Sequence, residues 1–234
     1  MNVYWLAQRE EDMPESNDWL GPWERNHVRS LTFLKRRTDW RLGRWTAKRA
    51  LAVLQNSPSH PDILARLEIR PAPSGAPEAY INGVPAPMAI SISHRDGTAM
   101  CTVAQKNLRL GCDLEVVESR TSAFVNDYFT LEEQQRIQQV PAAHRPYVTA
   151  LLWSAKESAL KALQEGLRRD TRSVSVILPE VYRSDHWSPL EVRSAEAMFQ
   201  GWWFGTDSLI HTVIADQCIN PPVRLSAQSS RTAA

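Results

Sequence analysis

The chain opens on an apolar run, Val3-Tyr4-Trp5-Leu6-Ala7, that predicts a short first strand, and residues 9–18 are polar and acidic, as in a loop. From Glu24 to Leu54 the apolar positions recur at helical spacing. Val28, Leu31, Phe33 and Leu34 come first, then Trp45, Ala47, Ala50, Leu51 and Leu54. Asn56, Ser57, Pro58, Ser59 and Pro61 end that helical region. Residues 71–87 carry five prolines and two glycines, which predicts an irregular connection with a hairpin at Asn82-Gly83. Strands are predicted at Ile90–Ser93, Thr98–Gln105 and Leu110–Val116, with Asn107 in the turn between the last two. The second half predicts helices at about 121–139 and 145–165, then strands at 174–178, 192–199, 201–205 and 209–216. From Asn220 onward the sequence is polar and proline-bearing, so a mobile tail is expected.

One pattern occurs twice. WTAKRALAVL at 45–54 and WSAKESALKAL at 153–163 share Trp-[Thr/Ser]-Ala-Lys followed by a charged residue, and a Thr/Val/Ala-rich strand follows each, at 99–105 and 209–217. We read this as a duplicated unit. The expected fold class is α+β, with two pseudo-symmetric, similar halves and the active site in the cleft between them. The expected divisions are 1–116, 117–219 and a tail at 220–234.

Composition narrows the function classes. A chain of 234 residues that is 43% hydrophobic and 23% charged is ordinary for a globular protein with a real core. Nine tryptophans add packing area. The net charge of +1 gives no global field for nucleic acid or membrane, so an anion site has to come from local clustering. Such a cluster exists: Arg25, Arg29, Lys35, Arg36, Arg37, Arg41, Arg44, Lys48 and Arg49 crowd 25–49, either as a solvated helix face or as a polyanion site. Cys101, Cys112 and Cys218 are odd in number and lack CxxC spacing, which argues against zinc or a disulfide framework. No signal peptide or spanning stretch is read from the sequence, so a cytoplasmic protein is expected.

Three segments carry candidate chemistry. In Gly111-Cys112-Asp113-Leu114-Glu115, strand geometry points Asp113 and Glu115 the same way, within an apolar frame. Either they form an acidic face in water, or a cation neutralises them, for which Mg²⁺ with phosphate oxygens is the natural partner. In LLWSAKESALKAL, Lys156, Glu157 and Lys161 share a flank, as a surface i, i+4 pair or as a metal ligand with phosphate-facing lysines. At Ser93-His94 a hydroxyl and an imidazole end a strand, as a plain polar pair or as phosphate donors.

Taken together, the chain resembles the Sfp-type 4′-phosphopantetheinyl transferase family over roughly residues 25–165. The resemblance rests on Gly43-Arg44, Gly75-Ala76-Pro77, Ser93-His94, GCDLE at 111–115, Phe129-Thr130-Leu131-Glu132-Glu133, and the stretch from Trp153 to Lys161. Cys112, Arg95 and Ala76 depart from the family's usual residues. The resemblance implies an enzyme that moves the 4′-phosphopantetheine arm of coenzyme A to a serine of an apo acyl or peptidyl carrier protein. The holo carrier and 3′,5′-ADP would be its products. It further implies Mg²⁺ on Asp113, Glu115 and Glu157. Ser93 and His94 would contact the 3′-phosphate, helped by Arg29, Arg37 and Arg44. The 75–77 loop would pass the adenine, and Lys156 and Lys161 would face the pyrophosphate. Glu157 is the first choice for general base, with Glu133 or Glu115 next, and Glu157, Glu115 and Lys161 form the catalytic set. In this reading 1–116 contacts coenzyme A and 117–219 carries the metal and catalytic helix. A carrier would dock on 121–148, near Phe124, Tyr128 and Phe129. The protein is expected to act as a monomer without nucleic acid or membrane partners. The rival reading is a non-catalytic relative that binds coenzyme A or a carrier protein, and a nucleic-acid binder using 25–49 is a third.

Overall fold

A computed structural model describes residues 1–177 and 183–226. The chain divides into two units, Tyr4–Asn107 with the segment from Val223, and Leu108–Pro222 with Met1–Val3. The first three residues join the second unit through hydrogen bonds from the N-terminal ammonium to the Cys218 carbonyl, 3.0 Å, and from Asn220 N–H to the Met1 carbonyl, 2.9 Å.

The first unit begins with β1 (Tyr4–Arg9) and two helices, α1 (Pro22–Ser30) and α2 (Leu34–Leu54). The single helical region expected over 24–54 is thus broken at Leu31–Phe33, whose ends are extended. No glycine or proline marks the break, so the periodicity ran through it. A short helix, α3 (Pro61–Leu64), leads to β2 (Leu67–Pro71), β3 (Pro77–Ile81) and β4 (Val84–Pro85), which form a three-stranded sheet in that order. The Asn82-Gly83 hairpin is present, with both residues at positive φ, 51° and 79°, as a primed two-residue turn requires. β5 (Met88–Arg95) and β6 (Thr98–Gln105) pair antiparallel, and β6 pairs with β1. Helix α2 lies on this sheet. Gly43 brings it close, since a Cβ there would stand 3.2 Å from Ile92 Cγ2. Trp19, Leu20, Leu51, Leu64 and Ile69 are at the centre of the core.

The second unit starts at β7 (Leu110–Val116), followed by α4 (Ser122–Tyr128), α5 (Leu131–Gln139) and α6 (Arg145–Ala162). β8 (Val174–Ile177), β9 (Ser188–Ser194), β10 (Met198–Gly205) and β11 (Leu209–Ala215) complete an antiparallel sheet of order β7-β11-β10-β9-β8. The strand expected at 192–199 is two, because Ser194 and Ala197 close a turn between β9 and β10. β7 belongs to this sheet, so the division expected at 116 falls near 107. The expected mobile tail is also corrected in part. β12 (Val223–Arg224) pairs parallel with β1 in the first unit, and Leu225 is buried there. The rest of that tail, 227–234, and position 178 of the expected strand 174–178 lie outside the described residues.

Each unit contains the same buried ion pair. In the first, Lys48 of α2 pairs with Glu24, both fully buried, and its ammonium also donates to the Trp19 carbonyl at 2.8 Å. Glu24 accepts from the N–H groups of Gly21 and Ile69, 2.9 Å each, so one carboxylate caps α1 and ties β2 to it. In the second, Lys156 of α6 sits 2.8 Å from Glu133 and donates to the carbonyls of Thr171 and Val174 at 3.0 and 2.6 Å. Glu133 closes a capping box with Thr130 and accepts from Val176 N–H at 2.9 Å. Burial pulls both lysine pKa values below the usual range against the pull of their carboxylates.

Two outcomes follow for stability. Lys156→Met strands the Glu133 charge and is expected to lower the unfolding free energy by about 3–5 kcal/mol in urea titrations. Glu133→Gln in that background should recover part of the loss, and a single-variant loss below about 1 kcal/mol would refute the buried-charge account. Gly111→Ala would place a Cβ 1.8 Å from the Ser158 carbonyl oxygen of α6. It is expected to cost about 1–3 kcal/mol by displacing the helix, read from the same titration.

Candidate active site

Gly111, Asp113 and Glu115 alternate along β7 and so project from one face. The close approach of Gly111 to Ser158 identifies that face as the one covered by α6. Both carboxylates are buried, Asp113 at 2% exposure and Glu115 at 4%, so the acidic face in water is excluded. The hydroxyls of Ser154 and Ser158 meet Thr212 Oγ1 at 2.8 and 2.7 Å, and Thr212 is the β11 partner of Asp113. Polar contacts therefore pin α6 to the sheet beside the carboxylates.

Cations of the same unit meet these charges. The Lys161 ammonium donates to Asp113 Oδ1 at 2.7 Å and to the Cys112 carbonyl at 3.0 Å. Burial works against its charge, but the Asp113 and Glu157 carboxylates outweigh that, and its pKa stands above the usual lysine value. Glu157 lies one helical turn before Lys161. Asp113 is hydrogen-bonded to that ammonium, while Glu157 acts on it through its charge. Glu115 Oε1 accepts from Arg120 at 2.6 Å, and Arg120 also pairs with Glu118 at 2.9 Å. Sequence reasoning missed Arg120, although a cation five residues past Glu115 was a signal. Among the described residues no group of three or more His, Cys, Asp or Glu side chains is drawn together so as to hold a metal ion. The donor chemistry itself, carboxylate oxygens alone, suits a hard cation such as Mg²⁺.

Two expected site residues prove to be structural. Lys156 is fully buried and spends its protons on Glu133 and two carbonyls, so it does not face a ligand. Glu133 is held by the same pair and by two backbone N–H groups, which removes it as a general base. Phe129, expected at a docking surface, is a core residue, while Phe124 and Tyr128 pack edge-on against Trp153 at 5.0 and 5.1 Å.

In the first unit a pocket of about 490 Å³ is lined by Phe33, Lys35, Arg36, Trp40, Arg44 and His94, among others. The Arg44 guanidinium lies 4.7 Å from the Trp40 ring centre, its Nε buried without a hydrogen-bond partner. Burial lowers its pKa to about 10 despite the opposing charge of Glu24. His27 stacks on Trp23 and meets Trp40 at a tilt of 37°, and burial, then Arg44 and Arg36, lower its pKa. Asp39, also in the lining, pairs with Lys35 at 2.9 Å, which leaves aromatic faces beside Arg36 and Arg44, a combination that suits a phosphorylated planar ligand. Lys35, Arg36 and Trp40 were not singled out by sequence reasoning; the first two were visible within the basic run.

The other expected contacts separate from this pocket. Ser93 is buried and does not line it, because strand alternation turns it away from His94. Gly75, Ala76 and Pro77 form the turn into β3 and do not line it either. Arg29 and Arg37 line a different pocket, with Arg41. Arg29 stands on α1, and Arg37 and Arg44, seven residues apart on α2, point nearly the same way but are about 10 Å apart along the helix axis.

Among the described residues no helix is long and apolar enough to cross a membrane. The three cysteines are free, Cys101 and Cys112 buried and Cys218 exposed. No curated protein sequence matches the chain. Among solved structures, the Chronobacterium ammoniagenes ACPS-CoA complex matches 44% of this chain and 96% of its own, at 22% identity and a TM-score of 0.32. Residues 109–208, from the residue before β7 to the residue before β11 and wholly within the second unit, match the family model of the 4′-phosphopantetheinyl transferase superfamily.

Proposed function

We propose that this protein transfers the 4′-phosphopantetheine moiety of coenzyme A to a serine of an apo acyl or peptidyl carrier protein, in the manner of the Sfp-type enzymes. The serine oxygen would bond to the β-phosphorus while the bridging oxygen to the α-phosphorus departs with 3′,5′-ADP. The observation that carries this reading is the buried Asp113 carboxylate hydrogen-bonded to the Lys161 ammonium, both within the matched family segment. Buried carboxylates that need a cation, with cations that can turn to an anion, form the charge set that phosphoryl-type transfer requires.

Asp113, Glu115 and Glu157 would hold Mg²⁺, whose charge would neutralise the pyrophosphate oxygens. Lys161 and Arg120 now compensate the carboxylates and would bind phosphate oxygens. Glu157, the least buried of the three acids, would take the serine proton. We assign the 3′-phosphate and adenine to the pocket of Arg44, His94 and Trp40.

The direct test incubates an apo carrier protein with coenzyme A and Mg²⁺ and reads its mass. The carrier is expected to gain the phosphopantetheine arm, and a chelator should prevent it. Asp113→Asn and Glu157→Gln should each slow loading by about 100-fold or more while circular dichroism stays unchanged. Coenzyme A binding without any mass gain would favour the non-catalytic reading, and normal turnover by either variant would sink the site assignment. For the pocket, Arg44→Gln is expected to raise the KM for coenzyme A by about tenfold, the loss of one charged phosphate contact. It should leave the KM for 3′-dephospho-coenzyme A unchanged, and an equal rise for both would remove the 3′-phosphate from that pocket.

A further inference from the structure

With the 3′-phosphate assigned to Arg44 and His94, the second arginine pocket, which holds Arg29 and Arg37, is left without a role in transfer. It measures about 350 Å³ and is lined by Glu15, Asn17, Val28, Arg29, Arg37 and Arg41. Arg37 and Arg41 stand one turn apart on α2, a like-charge spacing that costs helix stability unless something compensates it. Among the described residues none of the three arginines forms an ion pair, and Glu15, the one acid in the lining, pairs with none of them. Arg41 is fixed in place. One of its terminal nitrogens donates to the carbonyls of Pro14, Glu15 and Ser16 at 2.6, 3.0 and 3.1 Å, while its Nε is buried without a hydrogen-bond partner. Burial and the charge of Arg37 lower its pKa, as expected where positive charge is concentrated and unanswered. Arg29 and Arg37 are exposed, with guanidinium groups free to fork onto an oxyanion.

We propose that the pocket formed by the 14–17 loop, α1 and α2 is a second anion site, for a phosphate-class oxyanion, distinct from the pocket of Arg44 and His94. Arg29 and Arg37 supply bidentate donors, Arg41 supplies a fixed positive field from the pocket floor, and the Asn17 amide adds a neutral donor. Glu15 adds one negative charge to the lining and so limits the anionic charge the site accepts.

The test is calorimetric titration of the full chain with inorganic phosphate at low salt, in an Arg44→Gln background that disables the other cationic pocket. That protein is expected to bind one phosphate. Adding Arg29→Ala and Arg37→Ala should weaken binding by at least tenfold, and Arg29→Lys with Arg37→Lys should recover part of it. Both positions are exposed, so the folded state should persist, which a thermal melt checks. No phosphate binding by the Arg44→Gln protein would overturn the proposal. So would an affinity that stays within twofold after both alanine changes. Neither result bears on carrier loading, so the transferase reading stands or falls separately.

Discussion

A lysine buried against a helix-capping glutamate organises each unit. Lys48 with Glu24, and Lys156 with Glu133, bring a long helix, a short helix and a strand to one point. The glutamate serves three neighbours at once: the N-terminus of its own helix, a strand N–H, and the lysine. The lysine in turn donates to backbone carbonyls, that of Trp19 in the first unit and those of Thr171 and Val174 in the second. Desolvation works against the charge of each lysine, and the carboxylate beside it opposes that effect. Few other arrangements of these segments would satisfy every polar group together.

The anchor sets what neighbouring positions can do. Because Lys156 points into the core, Glu157 is rotated by a fixed angle about α6, and Lys161, one turn further, reaches β7. Gly111 permits the close approach of helix and strand that makes this reach possible. The same logic holds on α2, where Lys48 is buried and Arg44, one turn earlier, comes to rest beside Trp40. A buried structural cation and the cation proposed to face a ligand thus lie four residues apart on α2 and five apart on α6.

The basic run at 25–49 is therefore not one surface. Arg25 donates to the Leu20 carbonyl, Lys48 is internal, Arg36 and Arg44 line one pocket, and Arg29, Arg37 and Arg41 line another. Similar charges take different tasks because each has its own angle and height on α1 or α2, at about 100° and 1.5 Å per residue.

The sequence alone determined whatever depends on near neighbours. Alternation and turn chemistry marked β6, β7 and the Asn82-Gly83 hairpin at their observed limits, and the paired Trp-x-Ala-Lys motifs marked the two helices that organise the units. Strand alternation was enough to put Asp113 and Glu115 on one face. Tertiary structure decided what depends on distant partners. The break between α1 and α2, the membership of β7 in the second sheet, and the docking of β12 on β1 have no local marker. Nor could the sequence distinguish Lys156 from Lys161. Both are lysines on one amphipathic helix, but one meets a carboxylate 23 residues before it and the other a carboxylate 48 residues before it. Burial and Coulomb energy belong to the assembled neighbourhood, which local periodicity does not encode.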